Sequence, residues 1–166
     1  MKINLLDYML ELTKHRPRDI LKFFQLAAQN AVANNIPLIT TDTITKCEID
    51  YSSYLIQEFE DELHLLLPHV REIIAIFKNR RQATIPYLEF VGFLRGLPHE
   101  ILSQQNPEHV IKQLWESGLI GVGHHQIFYR YKTDAHAFDP IFDVETTPAQ
   151  QPRVAIHPGV RASLGF

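Results

Sequence analysis

His15-Arg16-Pro17-Arg18-Asp19-Ile20-Leu21-Lys22-Phe23-Phe24 opens the most regular helical stretch of the chain. Pro17 suits the first helical position, where its missing N–H costs nothing and its ring holds φ near the helical value. Asp19 falls in the first turn, where a negative charge meets the positive end of the helix dipole. Ile20, Phe23, Phe24, Ala27, Ala28 and Ala31 then recur at helical spacing, with Lys22, Gln25 and Gln29 along another face. The pattern predicts an amphipathic helix of about 17 residues running to Asn34-Asn35, where asparagine can serve as the cap.

Upstream, Leu5, Leu6, Met9, Leu10 and Leu12 predict a short amphipathic helix over residues 3–14. It stops before Pro17, because the residue preceding a proline is pushed out of the α region. Downstream, residues 34–39 form an apolar linker. Ile44, Cys47, Tyr51, Leu55, Phe59, Leu63 and Leu66 then follow spacings of three and four. They predict one long helix over residues 42–67, capped by Thr41 or Asp42 and ended by Pro68. Glu58, Glu60, Asp61 and Glu62 cluster on it, and the expectation is a solvated helix face.

After Pro68 the elements shorten. Val70, Ile73, Ile74 and Phe77 predict a helix ending at Lys78-Asn79-Arg80-Arg81. A second starts at Pro86 and ends at Gly96. Asn106 caps a third, with Pro107 behind it and Val110, Ile111, Leu114 and Trp115 as its apolar face. Residues 119–123 and 127–132 read as strands joined into a hairpin by Gly123-His124-His125-Gln126. A loop over 133–152, a short strand over 154–156 and a helical turn from Pro158 complete the chain. The fold class is mainly α (α+β): a helical bundle over 1–67, then a part over 68–166 whose three helices and hairpin follow the order of a winged helix.

The Arg16-Pro17-Arg18-Asp19 start, the aromatic helix behind it and the Tyr51-Ser52 helix resemble a known region. It is the stretch C-terminal to the nucleotide-binding core in bacterial P-loop ATPases related to the AAA and STAND groups, several of them in phage-defence systems. Ala155-Ile156-His157-Pro158-Gly159-Val160-Arg161 resembles the end of the same region. The resemblance implies a helical lid followed by a winged-helix domain, and it implies that Arg16 and Arg18 sense nucleotide phosphates across a domain boundary. Guanidinium groups suit that task, being always charged and able to bind phosphate in a bidentate fork. The residues alone leave another course open: Arg18 pairs with Asp19, Glu11 or another local carboxylate.

Composition narrows the classes. The 166 residues are 45% apolar with a formal net charge of −3, so no strong overall field draws the chain to nucleic acid or membrane. Residues 1–66 carry six Lys and Arg against ten Asp and Glu, and residues 67–166 carry ten against nine. The single cysteine, Cys47, excludes an internal disulfide and fits a helix core in a reducing, cytoplasmic compartment. No stretch of about 18 consecutive apolar residues offers a membrane span.

No G-x-x-x-x-G-K-[ST] loop is present among the seven glycines, so independent ATP hydrolysis has no phosphate cradle. No serine has a G-x-S-x-G setting. His99-Glu100-Ile101-Leu102-Ser103 carries serine where the second zinc ligand of H-E-x-x-H would stand, and His64 and His69 are not an i, i+4 pair. His157 reads as a cap for the turn at Pro158. The expectation is therefore no cofactor, no metal and no enzyme. Nucleic-acid binding rests on the winged-helix order together with Lys78, Arg80, Arg81, Lys112, Arg130 and Lys132. The third helix, which would enter the groove, sets Glu108 and Glu116 against Lys112 and suits that role poorly. The reading that results is a regulatory module that binds protein, either a second copy or a P-loop ATPase core. A DNA-binding regulator is the alternative.

Overall fold

The computed structural model describes residues 5–98, 100–102, 105–132 and 151–166. The chain is mainly α with one small antiparallel sheet. Four helices lead: α1 (Leu5–Leu12), α2 (Pro17–Ala33), α3 (Thr41–Lys46) and α4 (Glu48–Leu63). Then come α5 (Val70–Arg80), β1 (Thr84–Pro86), α6 (Tyr87–Arg95), α7 (Pro107–Glu116), β2 (Ile120–Gly123) and β3 (Phe128–Tyr129). A 3-10 turn (Arg130–Lys132), β4 (Arg153–Ile156), a second 3-10 turn (Pro158–Val160) and α8 (Arg161–Leu164) follow.

α2 forms as its sequence dictates, with Pro17 at its first turn and Asn34 closing it through a backbone bond to Asn30. The expected long helix over 42–67 is instead two helices, and its last turns unwind after Leu63. The break falls at Cys47, whose N–H bonds to Ile44 three residues back. Thr40 rather than Thr41 or Asp42 is the cap, in a reciprocal box with Thr43. The cause is local competition. Thr41, Thr43, Ile44 and Thr45 are β-branched, and the Thr45 hydroxyl and Cys47 thiol both bond back to carbonyls of their own turn. Cys47 itself is fully buried.

The sheet order is β1-β4-β2-β3, antiparallel throughout. β4 is its centre, pairing Val154 with Ile85 on one side and with Val122 on the other. β1, which the sequence reading passed over, supplies the outer partner of β4. The strand expected over 127–132 is two residues long and turns into the 3-10 segment. Trp115 Nε1 donates to the Phe128 carbonyl at 3.2 Å, and Tyr129 donates to the Ile156 carbonyl at 3.1 Å. The turn then stacks Tyr131 on Tyr129 with ring centroids 5.6 Å apart. The expected loop over 133–152 lies outside the described residues except for its last two positions.

One core runs through both expected parts. Phe23, Tyr51, Leu55 and Phe59 from the leading helices join Ile73, Phe77, Phe90, Trp115, Ile156 and Val160 in a single buried cluster. The Pro158–Val160 turn and α8 pack back on α4, and that turn also meets α1. Ser52 and Ser163 fasten this return with paired hydrogen bonds of 2.8 and 3.0 Å.

Candidate functional site

Three cations at the head of α2 converge on two carboxylates of α4. Lys14 Nζ donates to Glu62 Oε2 at 2.8 Å, and Arg16 bonds to the other oxygen of the same carboxylate. Arg18 reaches Glu58 at 2.5 Å and Glu62 at 3.2 Å. α2 starts where it does because of Pro17, and this start aims Arg16 and Arg18 along the flank of α4. Glu58 and Glu62 stand four residues apart and share one face of α4. The acidic cluster lies at the surface, with Asp61 and Glu62 exposed, but most of it is paired with cations of the chain. Glu58 and Glu62 hold these cations, and Glu60 holds Arg71 at 2.7 Å.

Depth separates the cations. The Lys14 side chain is 1% exposed and sits 4.2 Å above the Phe59 ring, whereas Arg16 and Arg18 are 42% and 56% exposed. Burial depresses the Lys14 pKa, and the Glu62 carboxylate offsets only part of that. Burial alone would raise Glu62, but the bonds from Lys14 and Arg16 outweigh it and hold the carboxyl below the ordinary range. Asp19 lies fully buried beneath the cluster, with Arg18 Nε 3.6 Å from Oδ1. Burial pushes its pKa up against the pull of Lys14, Arg16 and Arg18.

Arg16 and Arg18 are thus paired with carboxylates of their own chain, and Arg18 takes Asp19, as the sequence allowed, together with the more distant Glu58 and Glu62. Lys14, the most deeply buried of the three, went unread. A lysine two residues before R-P-R-D gives no sign of its depth until α4 is folded beside it. His157 is buried and its Nδ1 accepts the Gly159 N–H at 3.0 Å, as a cap for the following turn.

The remaining sequence candidates do not gather into one surface. Arg80 pairs with Glu89 and lies over the Phe93 ring, and Arg130 lies 5.9 Å from the Trp115 ring. Arg81 ends α5 in a left-handed conformation. Lys112 is exposed on α7 beside Glu108, His109 and Glu116, and Glu108 faces Arg95 at 3.7 Å. Lys78 is exposed on α5, and the Lys132 side chain lies outside the described residues.

α2 has a second apolar face. Phe23, Ala27 and Ala31 are buried, but Leu21 is 69% and Val32 78% exposed, with Phe24 partly exposed and Ala28 half-buried between them. Leu21, Ala28 and Val32 follow helical spacing along a stripe turned away from the core. Phe24, expected on the inward face with Phe23, stands instead at its partly exposed edge. Among the described residues, every exposed large apolar side chain except Leu88 and Phe166 lies in residues 1–67. No helix of the described residues is long and apolar enough to cross a membrane.

The geometry defines a mainly α chain whose leading helices carry an ionic seam and an outward apolar stripe. Residues 1–60 match the family model of a FunZ-associated C-terminal helical domain. That stretch is similar to the C-terminal helical region of such proteins, and it contains Lys14, Arg16, Arg18 and Glu58 but stops just short of Glu62. No curated protein and no solved structure matches the chain.

Proposed function

We propose that this chain is a non-catalytic regulatory module that binds protein through the outward face of α2. The observation that carries the reading is the stripe of Leu21, Phe24, Ala28 and Val32, which a helix of a freely soluble monomer would place in polar residues. The similarity of residues 1–60 to a C-terminal helical domain supports it, since such a region works beside the rest of a larger protein. The partner is a second copy of the chain or a P-loop ATPase core. Beside such a core, Arg16 and Arg18, which are 42% and 56% exposed, keep N–H donors for a nucleotide phosphate, which would compete with Glu58 and Glu62 for them.

Size-exclusion chromatography with light scattering at micromolar concentration, alone and with the ATPase core encoded in or beside the same gene, tests this. Association that is lost on Leu21→Lys with Val32→Lys supports the reading. A monomer that retains no core, or association indifferent to those substitutions, overturns it.

One observation favours a second reading. The order α5-β1-α6-α7-β2-β3-β4, with β4 between β1 and β2, resembles that of a winged helix, and a winged helix can serve DNA. Salt-sensitive binding of a labelled duplex, weakened across sequences by Arg80→Ala with Arg81→Ala, would support it. The acids on the exposed face of α7 weigh for protein contact instead.

A further inference from the structure

A groove of about 300 Å³ lies between α4, α5 and α8, away from the α2 stripe. Ile56, Ala75 and Leu164 give it an apolar floor. Ser53 lies at its side, but its hydroxyl donates to the Ile49 carbonyl of its own helix at 2.9 Å and so adds little polar demand. Arg71 and Lys78 line it from α5. Seven residues are close to two helical turns, so the two cations share one face of α5 and stand about 10 Å apart along its axis.

Both cations have capacity to spare. Arg71 turns Nε and Nη2 to Glu60, which leaves its Nη1 donors for another acceptor. Lys78 has no ion-pair partner among the described residues. An apolar floor between two cations one heptad apart is the complement of a helix with carboxylates at i and i+7 and aliphatic side chains between them. Glu60 already offsets most of the Arg71 charge and Glu72 lies near it, so the unmatched charge of the groove is that of Lys78, which a carboxylate complements and a basic group repels.

We infer that this groove docks an acidic amphipathic helix of a partner protein, its two carboxylates on Arg71 and Lys78 and its aliphatic residues on Ile56, Ala75 and Leu164. The site is distinct from the α2 stripe and does not depend on it.

The probe is a fluorescein-labelled, amidated helical peptide of 14 residues, with two Glu seven apart and Leu at the third and fourth positions between them (about four turns of helix). A control peptide carries Lys in place of both Glu. Anisotropy is read with the full chain at low salt. The Glu peptide is expected to bind saturably and at least about tenfold more tightly than the Lys peptide, which is one factor of ten in an equilibrium constant. Lys78→Glu, an exposed change whose fold is checked by circular dichroism, should abolish or reverse that preference. Ala75→Trp, which fills the floor, should weaken the Glu peptide, and Leu21→Lys with Val32→Lys should leave it unchanged. No binding, equal binding of both peptides, or a preference indifferent to Lys78→Glu overturns the inference. Displacement of the peptide by decanoate, with tighter binding of decanoate than of any Glu peptide, would assign the groove to a small amphipathic anion and overturn it equally.

Discussion

The contact of α2 with α4 and the contact of the β4 segment with α4 hold one core from two sides by different means. At the α2 side, three cations and two carboxylates rim an aromatic pair, Phe23 and Tyr51, whose rings meet edge to face at 4.6 Å. On the other side, the Pro158–Val160 turn and α8 that follow β4 lie on α4 through apolar residues, close backbone approach at Gly159 and the Ser52–Ser163 bonds, and His157 uses its Nδ1 on a local cap. The first contact answers to pH and salt, because its strength is electrostatic and half exposed. The second answers to volume, because close-packed atoms have no slack. The exposed apolar stripe of α2, with Leu21, Phe24 and Val32, lies on the helix of the first contact. The side that is electrostatically adjustable is also the side that offers a surface to a partner.

Gly159 tests the volume-limited side most severely. A Cβ there would stand 2.1 Å from the Leu12 carbonyl oxygen and 2.7 Å from Leu55 Cδ2. Backbone cannot yield as a side-chain tip can, so Gly159→Ala is expected to destabilise by about 3 kcal/mol, the upper part of the range for overpacking. Gly92 is the control, since a Cβ on this helical residue meets nothing within 4 Å. Gly92→Ala is expected to stabilise by roughly 0.5–1 kcal/mol through helix propensity and a less flexible unfolded chain. Urea unfolding of both variants reads the difference. Equal effects would show that the β4 side is not packed as described.

Glu62 tests the electrostatic side. Glu62→Gln leaves the Lys14 charge, 1% exposed, without its carboxylate. A buried charge losing its partner is costly, but Glu62 is 27% exposed and water relieves part of it, so about 1–2 kcal/mol is expected. The sign with pH follows from the direction of the shift. The folded pKa of Glu62 lies below its unfolded value, so its stabilisation is present above the ordinary carboxylate pKa and lost as pH falls through the folded one. The gap between wild type and Glu62→Gln should therefore be full at pH 7 and close as acid is added below about pH 4. A gap that stays constant into acid would mean that the carboxylate is not what holds Lys14.

These two sites also show what a sequence makes legible. α2, α5, α6 and α7 could be read because each carries its own stop and start: Pro17, Arg81 after a basic run, Gly96, and Asn106 with Pro107. The Cys47 break was hidden because apolar spacing runs on across it, while the competing bonds of Thr43, Thr45 and Cys47 exist only once the turn has formed. β1 was hidden because three residues ending in a proline make no pattern, and it is a strand only by pairing with β4, about 70 residues later in the chain. The arginines of the site were visible from their motif. Their true partners were not, since nothing in the order of residues says that α4 brings Glu58 and Glu62 to them.

The smallest expected effect on stability falls on the outward stripe of α2, and its smallness is what makes it informative. Leu21 and Val32 are mostly exposed, so replacing both with lysine removes little buried area. Lysine equals leucine and exceeds valine in helix propensity, and neither position contributes to the ionic seam. Leu21→Lys with Val32→Lys should therefore change unfolding stability by no more than about 0.5 kcal/mol, as surface substitutions generally do. If the stripe is a docking face, the same variant loses association, because two charges would have to be stripped of water at the centre of the contact. Intact stability with lost association separates a surface kept apolar for a partner from one that merely happens to be apolar. A large loss of stability would instead mean that these side chains pack within the monomer, and the division of the molecule into a volume-limited side and a partner-facing side would fall with it.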